Sequence, residues 1–183
     1  MRFVTIGSKD NPTLFFIHGL SATAESCYGK VGRLLRDHWH IILCELDGHY
    51  NGSPAFVSID DECKQIETYV LENHGGRIRG MVGLSLGGTI AVSVLSRGKI
   101  QVEKTVLDAA FCVDMGILQS CYGWIFPKAV IRVRDGKYIP GFLIDLFMGK
   151  GNRSMVEMIY PGIRIETCKM PVGRFIHIGF PTI

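Results

Sequence analysis

Short apolar runs alternate along the chain with amphipathic stretches. Leu14, Phe15, Phe16 and Ile17 follow Pro12 and Thr13 and stop at His18 and Gly19, which is the length and punctuation of a strand buried on both faces. Over residues 24–36, Tyr28, Val31, Leu34 and Leu35 recur at helical spacing, with Arg33 and Arg36 between or beside them, and predict a surface helix. Trp39 to Leu46 contains Ile41, Ile42, Leu43 and Cys44, a second buried strand that ends at Asp47 and Gly48. Ser58 is placed to cap a helix whose first turn holds Asp60, Asp61 and Glu62 and whose apolar face is Cys63, Ile66, Tyr69 and Val70. That helix closes around Asn73, His74, Gly75 and Gly76, where Gly or Asn takes the left-handed conformation. A strand over Arg79–Val82, a helix over Gly87–Ser96 and a strand over Lys104–Ala109 follow.

Strands and helices in strict alternation predict an α/β fold, a mostly parallel sheet with helices on its faces. The rhythm breaks after Phe111. Residues 112–165 hold Trp124, Phe126, Tyr138, Phe142, Phe147 and Tyr160 in pieces interrupted by Pro127, Pro140 and Pro161, which reads as a small helical cap or as two ordinary packing helices. Met170 to Ile178 reads as one more strand. The expected organisation is an N-terminal core part over residues 1–111, a cap insertion over 112–165, and a final strand with an incomplete C-terminus over 166–183.

Composition narrows the class. With 183 residues, 47% hydrophobic and 20% charged, the chain suits one globular domain and not a disordered one. The net charge of +3 is spread from Lys9 to Arg174 without a basic run, so no nucleic-acid partner is expected. No segment reaches the roughly 18 continuous apolar residues of a membrane span, and the N-terminus turns polar at Ser8. Cys27, Cys44, Cys63, Cys112, Cys121 and Cys168 form no CxxC pair, which predicts free thiols in a cytoplasmic protein and no metal.

The feature that carries chemistry is Gly83-Leu84-Ser85-Leu86-Gly87, directly after a predicted strand and before a predicted helix. G-x-S-x-G in that setting is a nucleophile elbow: the tight turn exposes the serine Oγ, and the flanking glycines allow close backbone approach. Ser85 is the candidate nucleophile, and Leu86 N–H at the helix N-terminus is a candidate oxyanion donor. A second donor must come from the loop after an earlier strand, and Leu20 N–H, after His18-Gly19, occupies that position. His18 reads as an organiser of that loop, and Asp47-Gly48-His49 as a loop former at the end of its strand.

His18-Gly19, Asp47-Gly48-His49-Tyr50-Asn51-Gly52-Ser53 and Gly83-Leu84-Ser85-Leu86-Gly87-Gly88 together resemble the α/β-hydrolase superfamily, in particular small esterase- or lipase-like serine hydrolases with a helical cap. The resemblance is close over residues 12–111 and loose beyond. It implies a Ser85 nucleophile, backbone donors at Leu20 and Leu86, a small-molecule ester substrate and no cofactor. The family places its acid and histidine after later strands, in the order Ser, Asp or Glu, His. Here the sequence after Met170-Pro171-Val172 runs out at Gly179-Phe180-Pro181-Thr182-Ile183. Asp108 and His177 keep the family's chain order, yet they also read as a loop carboxylate and a strand residue. Two strands' worth of fold are expected to be lacking, with an exposed sheet edge that favours self-association. A noncatalytic or vestigial hydrolase-like binding protein is the alternative.

Overall fold

The computed structural model describes residues 1–20, 22–110, 125, 128–129, 131–132, 135–137 and 139–148. Five strands form one sheet in the order β1-β3-β2-β4-β5, from β1 (Arg2–Ile6), β2 (Thr13–Ile17), β3 (His40–Glu45), β4 (Arg77–Leu84) and β5 (Gln101–Asp108). β2, β3, β4 and β5 pair in parallel, and β1 runs antiparallel to β3 with Arg2 opposite Glu45 and Ile6 opposite Ile41. Three helices connect the parallel strands: α1 (Ala24–Leu35), α2 (Ile59–His74) and α3 (Leu86–Arg97).

The central strands are buried on both faces because successive side chains feed two separate cores. Phe15, Ile17, Ile42, Cys44 and Met81 join Ile66 and Val70 of α2 and Ile90 and Val94 of α3. Phe16, Ile41 and Leu43 pack with Ala24 of α1 on the other face. β2 is followed by β3 on one side and β4 on the other, so the chain reverses direction across the sheet between β2 and β4. In open α/β sheets the crevice at the carboxyl ends of two such strands is where ligands bind.

Local signals behave as their chemistry dictates. Ser58 caps α2 by accepting from Asp61 N–H at 3.1 Å, and Gly75 closes it at φ 59°. Thr23 and Ser26 form a reciprocal capping box at the start of α1. α1 differs from its expected face: Leu34 is 73% exposed and Val31 42%, while Ala24, Gly29 and Gly32 are buried. Small residues let the helix sit close to the sheet; a Cβ on Gly32 would lie 3.2 Å from Ile6 and 3.3 Å from Ile41.

β1 is an element the hydrophobic pattern did not announce. Its five residues alternate weakly, and it is held by the β3 ladder and by Phe3, which stacks on Tyr69 with ring centroids 3.9 Å apart. β4 is longer than its apolar run, because Arg77 and Arg79 point outward to Glu103 of β5.

Within the expected cap, Gly141–Met148 is helical and becomes α4. Of the rest of the cap only residues 125, 128–129, 131–132, 135–137 and 139–140 are described; the strand over 170–178, His177 and three of the cysteines (Cys112, Cys121, Cys168) lie outside the described residues. Cys27, Cys44 and Cys63 are free thiols, the last two buried. Among the described residues no helix is long and apolar enough to cross a membrane.

Candidate active site

β2 and β4 end side by side, with Ile17 paired to Gly83, so His18-Gly19-Leu20 and Ser85 meet at the carboxyl edge of the sheet. Ser85 joins β4 to α3 with φ 52° and ψ −113°. A serine in that region is strained, and its backbone is held from both sides: Ser85 N–H donates to Asp108 O at 2.7 Å, and Ser85 O accepts from Thr89 N–H at 3.0 Å.

The turn is possible because Gly83 and Gly87 carry no side chain. A Cβ on Gly83 would lie 2.5 Å from Gly87 O, and one on Gly87 would lie 2.6 Å from His18 O. The same crowding brings the Gly19–Leu20 loop to the serine, since a Cβ on Gly19 would be 3.4 Å from Ser85 Cβ. Leu86 is the first residue of α3, where a backbone N–H has no acceptor in its own helix. Leu86 N–H and Leu20 N–H have no hydrogen-bond partner among the described residues. Thus the three residues singled out from sequence, Ser85, Leu20 and Leu86, lie on two segments that converge at one corner of the sheet.

The neighbouring imidazoles are engaged elsewhere. His18 is fully buried; its Nδ1 lies 2.8 Å from Gly19 O and its Nε2 accepts from Leu46 N–H at 3.1 Å. Burial pushes its pKa down to about 4, against a weaker opposing effect of the Gly19 hydrogen bond. His18 is therefore neutral near pH 7, and Glu45 Oε2, 3.6 Å from Nε2, faces a lone pair and not an imidazolium.

His49 packs edge-on against His18 with centroids 5.0 Å apart and donates Nδ1–H to Asp47 O at 2.8 Å. Burial, then repulsion from His18, lowers its pKa to about 4. Sequence alone read both histidines as loop residues, and these hydrogen bonds are those of loop residues. His40 and His74 share Thr13 Oγ1 at the start of β2. Four residue steps along that strand put them about 13 Å from Ile17, at the opposite edge of the sheet. Exposed His38 lies at that edge too, just before β3.

Among the described residues no histidine hydrogen-bonds Ser85. Asp108 ends β5 beside Leu84 with an exposed side chain, and its contact to Ser85 is through its carbonyl.

Two carboxylates are buried here that sequence does not mark as such: Glu45 goes unremarked, and Glu62 reads only as first-turn charge of α2. Glu45 closes β3 and is 3% exposed, accepting from Ala24 N–H at 3.1 Å. Glu62 is 1% exposed and accepts from Asp47 N–H at 3.4 Å. Burial, and then the charge of Asp47, pushes its pKa up to about 8. The only signal for Glu45 was a carboxylate closing an otherwise apolar strand; for Glu62 it was an acid on the face of α2 that carries Cys63 and Ile66.

The sequence profile of the alpha/beta hydrolase fold matches residues 12–157, four fifths of the chain, from the first residues of β2 past α4. The chain belongs to the alpha/beta hydrolase family. The chain is similar in structure to an alpha/beta hydrolase family protein from Desulfitobacterium hafniense, at 22% identity and TM-score 0.82, covering 95% of this chain and 72% of that one. A carboxylesterase from the thaumarchaeon Nitrososphaera gargenis matches at 12% identity and TM-score 0.62, covering 91% of this chain and 64% of that one. A thermophilic esterase from Thermogutta terrifontis matches at 15% identity and TM-score 0.66, with 94% and 66% covered. The chain thus spans about two thirds to three quarters of the length of these structures. No curated protein sequence matches it.

Proposed function

We propose that this alpha/beta hydrolase is a serine hydrolase of carboxylic esters that works through a Ser85 acyl-enzyme and needs no cofactor. The observation that carries the reading is the strained Ser85 at the β4–α3 junction, φ 52°, with Gly19 against its side chain. Ser85 Oγ attacks the acyl carbon, its proton passes to a histidine base, and the carbonyl oxygen becomes an oxyanion facing Leu20 N–H and Leu86 N–H. Collapse expels the alcohol with that proton, and water then hydrolyses the acyl-serine by the same route. Asp108 and His177 keep the order acid then base after the nucleophile, and His177 belongs to the part of the chain beyond the described residues. The esterases among its structural relatives favour an ester over other acyl substrates.

A second reading rests on a specific observation. Among the described residues no histidine hydrogen-bonds Ser85, the Nδ1 atoms of His18, His40, His49 and His74 each lying against another group, and loss of a triad member typically leaves only about 10³- to 10⁴-fold catalysis over water. Without a base the fold binds ester-like ligands and barely turns over. The test is fluorophosphonate labelling of the purified chain with peptide mapping, a short p-nitrophenyl ester assay alongside, and Ser85→Ala as control. Rapid labelling confined to Ser85 with ester turnover is the expected result. Absence of both would replace the enzyme by the binding protein.

A further inference from the structure

The β2–α1 connection carries the Leu20 donor, and the end of β3 grips it at two points. At its start, His18 Nε2 accepts from Leu46 N–H at 3.1 Å, so the ring proton sits on Nδ1, which donates to Gly19 O at 2.8 Å. None of the described peptide bonds is cis. In a trans peptide the C=O and the following N–H point in opposite directions, so holding Gly19 O toward the His18 ring aims Leu20 N–H away from it.

At the far end, Ala24 N–H is one of the donors that the first turn of α1 leaves without a helical acceptor. Ala24 is fully buried and out of reach of solvent, and its acceptor is Glu45 Oε2 at 3.1 Å. Leu46 and Glu45 are consecutive residues. One dipeptide at the end of β3 therefore fixes both ends of the connection.

We propose that Glu45, together with His18, is a positioning residue of the oxyanion loop: His18 sets the direction of the Gly19–Leu20 peptide, and Glu45 anchors the loop's exit into α1. This rests on the reading of Ser85 and Leu20 as nucleophile and oxyanion donor. Neither side chain touches substrate; each acts through backbone it holds. Arg2, half-exposed and 3.9 Å from Glu45 Oε1, is the only cation paired with that carboxylate among the described residues, so the acceptor oxygen and not the charge is the feature in use.

The test uses the 183-residue chain with Glu45→Leu, which removes the acceptor, and Glu45→Gln, which keeps an acceptor oxygen without charge. Three readouts are taken: kcat and KM on a short p-nitrophenyl ester, the rate of Ser85 labelling by a fluorophosphonate, and amide hydrogen exchange at Ala24. A displaced donor costs less than a deleted one, so kcat and labelling in Glu45→Leu should fall about 10- to 100-fold with KM within about 3-fold. Exchange at Ala24 should rise at least about tenfold, and Glu45→Gln should restore all three to within about threefold of wild type.

A folded Glu45→Leu with wild-type kcat and exchange overturns the proposal, as does a Glu45→Gln no better than Leu. Should Glu45→Leu not fold, Ala24 in the wild type decides: an amide exchanging at the rate of an open loop overturns the anchor. A wild-type chain whose Ser85 neither labels nor turns over defeats the hydrolase reading instead, and the exchange data still judge the anchor.

Discussion

Glu62 provides the sharpest quantitative test of the structure. Its carboxyl group is buried beneath the Asp47 loop, with one oxygen on Asp47 N–H and the other, Oε1, without a partner among the described residues. Burial raises its pKa from 4.5 to about 8. Between those values the folded protein keeps a proton that the unfolded chain has released, so stability is full below about pH 4.5 and falls as pH rises through 8. At about 1.4 kcal/mol per pH unit, the penalty at pH 7 is about 3 kcal/mol.

Glu62→Gln imitates the protonated acid in the folded state and removes the ionisation of the unfolded one. It should stabilise the protein by about 3 kcal/mol at pH 7, or raise Tm by about 6 to 12 °C for a chain of this size. The gain should shrink to nothing near pH 4.5. His18 and His49 pull the other way, since their lowered pKa values withdraw stability as pH falls from 6.5 towards 4. The window from about pH 6.5 to 8.5 is therefore free of them, and there wild type should lose about 2 kcal/mol that the variant keeps. Urea unfolding of both proteins at three pH values measures the difference. A difference that does not change with pH, or a variant less stable than wild type, would show that Glu62 is ionised in the fold and refute the reasoning.

Other expectations follow from the same contacts. Gly87→Ala drives a methyl group into the His18 carbonyl and should cost about 2 to 4 kcal/mol in chemical denaturation; a loss under about 0.5 kcal/mol contradicts the packing of the elbow. Arg97 bridges Asp60 and buried Glu67, so Arg97→Ala leaves the Glu67 carboxylate with Lys99 as its one cation among the described residues and should destabilise by about 2 to 4 kcal/mol, with Glu67→Gln recovering part of the loss. β5 ends the sheet among the described residues with Val106 58% and Leu107 44% exposed, and self-association at high micromolar concentration is expected. Sedimentation as a stable monomer at that concentration would count against it.

The sequence by itself determined the alternation of strand and helix, because periodicity, caps and glycine punctuation are local: Ser58, Gly75 and the Gly83–Gly87 elbow all occur where their chemistry demands. It also singled out Ser85, Leu20 and Leu86, since a G-x-S-x-G between strand and helix and a His-Gly after an earlier strand are short-range patterns. What only the tertiary structure decided depends on residues far apart in the chain. β1 exists through its ladder with β3, and α1 turns its glycines inward because the sheet beneath is close. The tautomer of His18 follows from Leu46, 28 residues away, and the task of Glu45 from Ala24, 21 residues away. A buried carboxylate or imidazole has no periodic signature, so its partner and protonation state become legible only when the fold has chosen its neighbours.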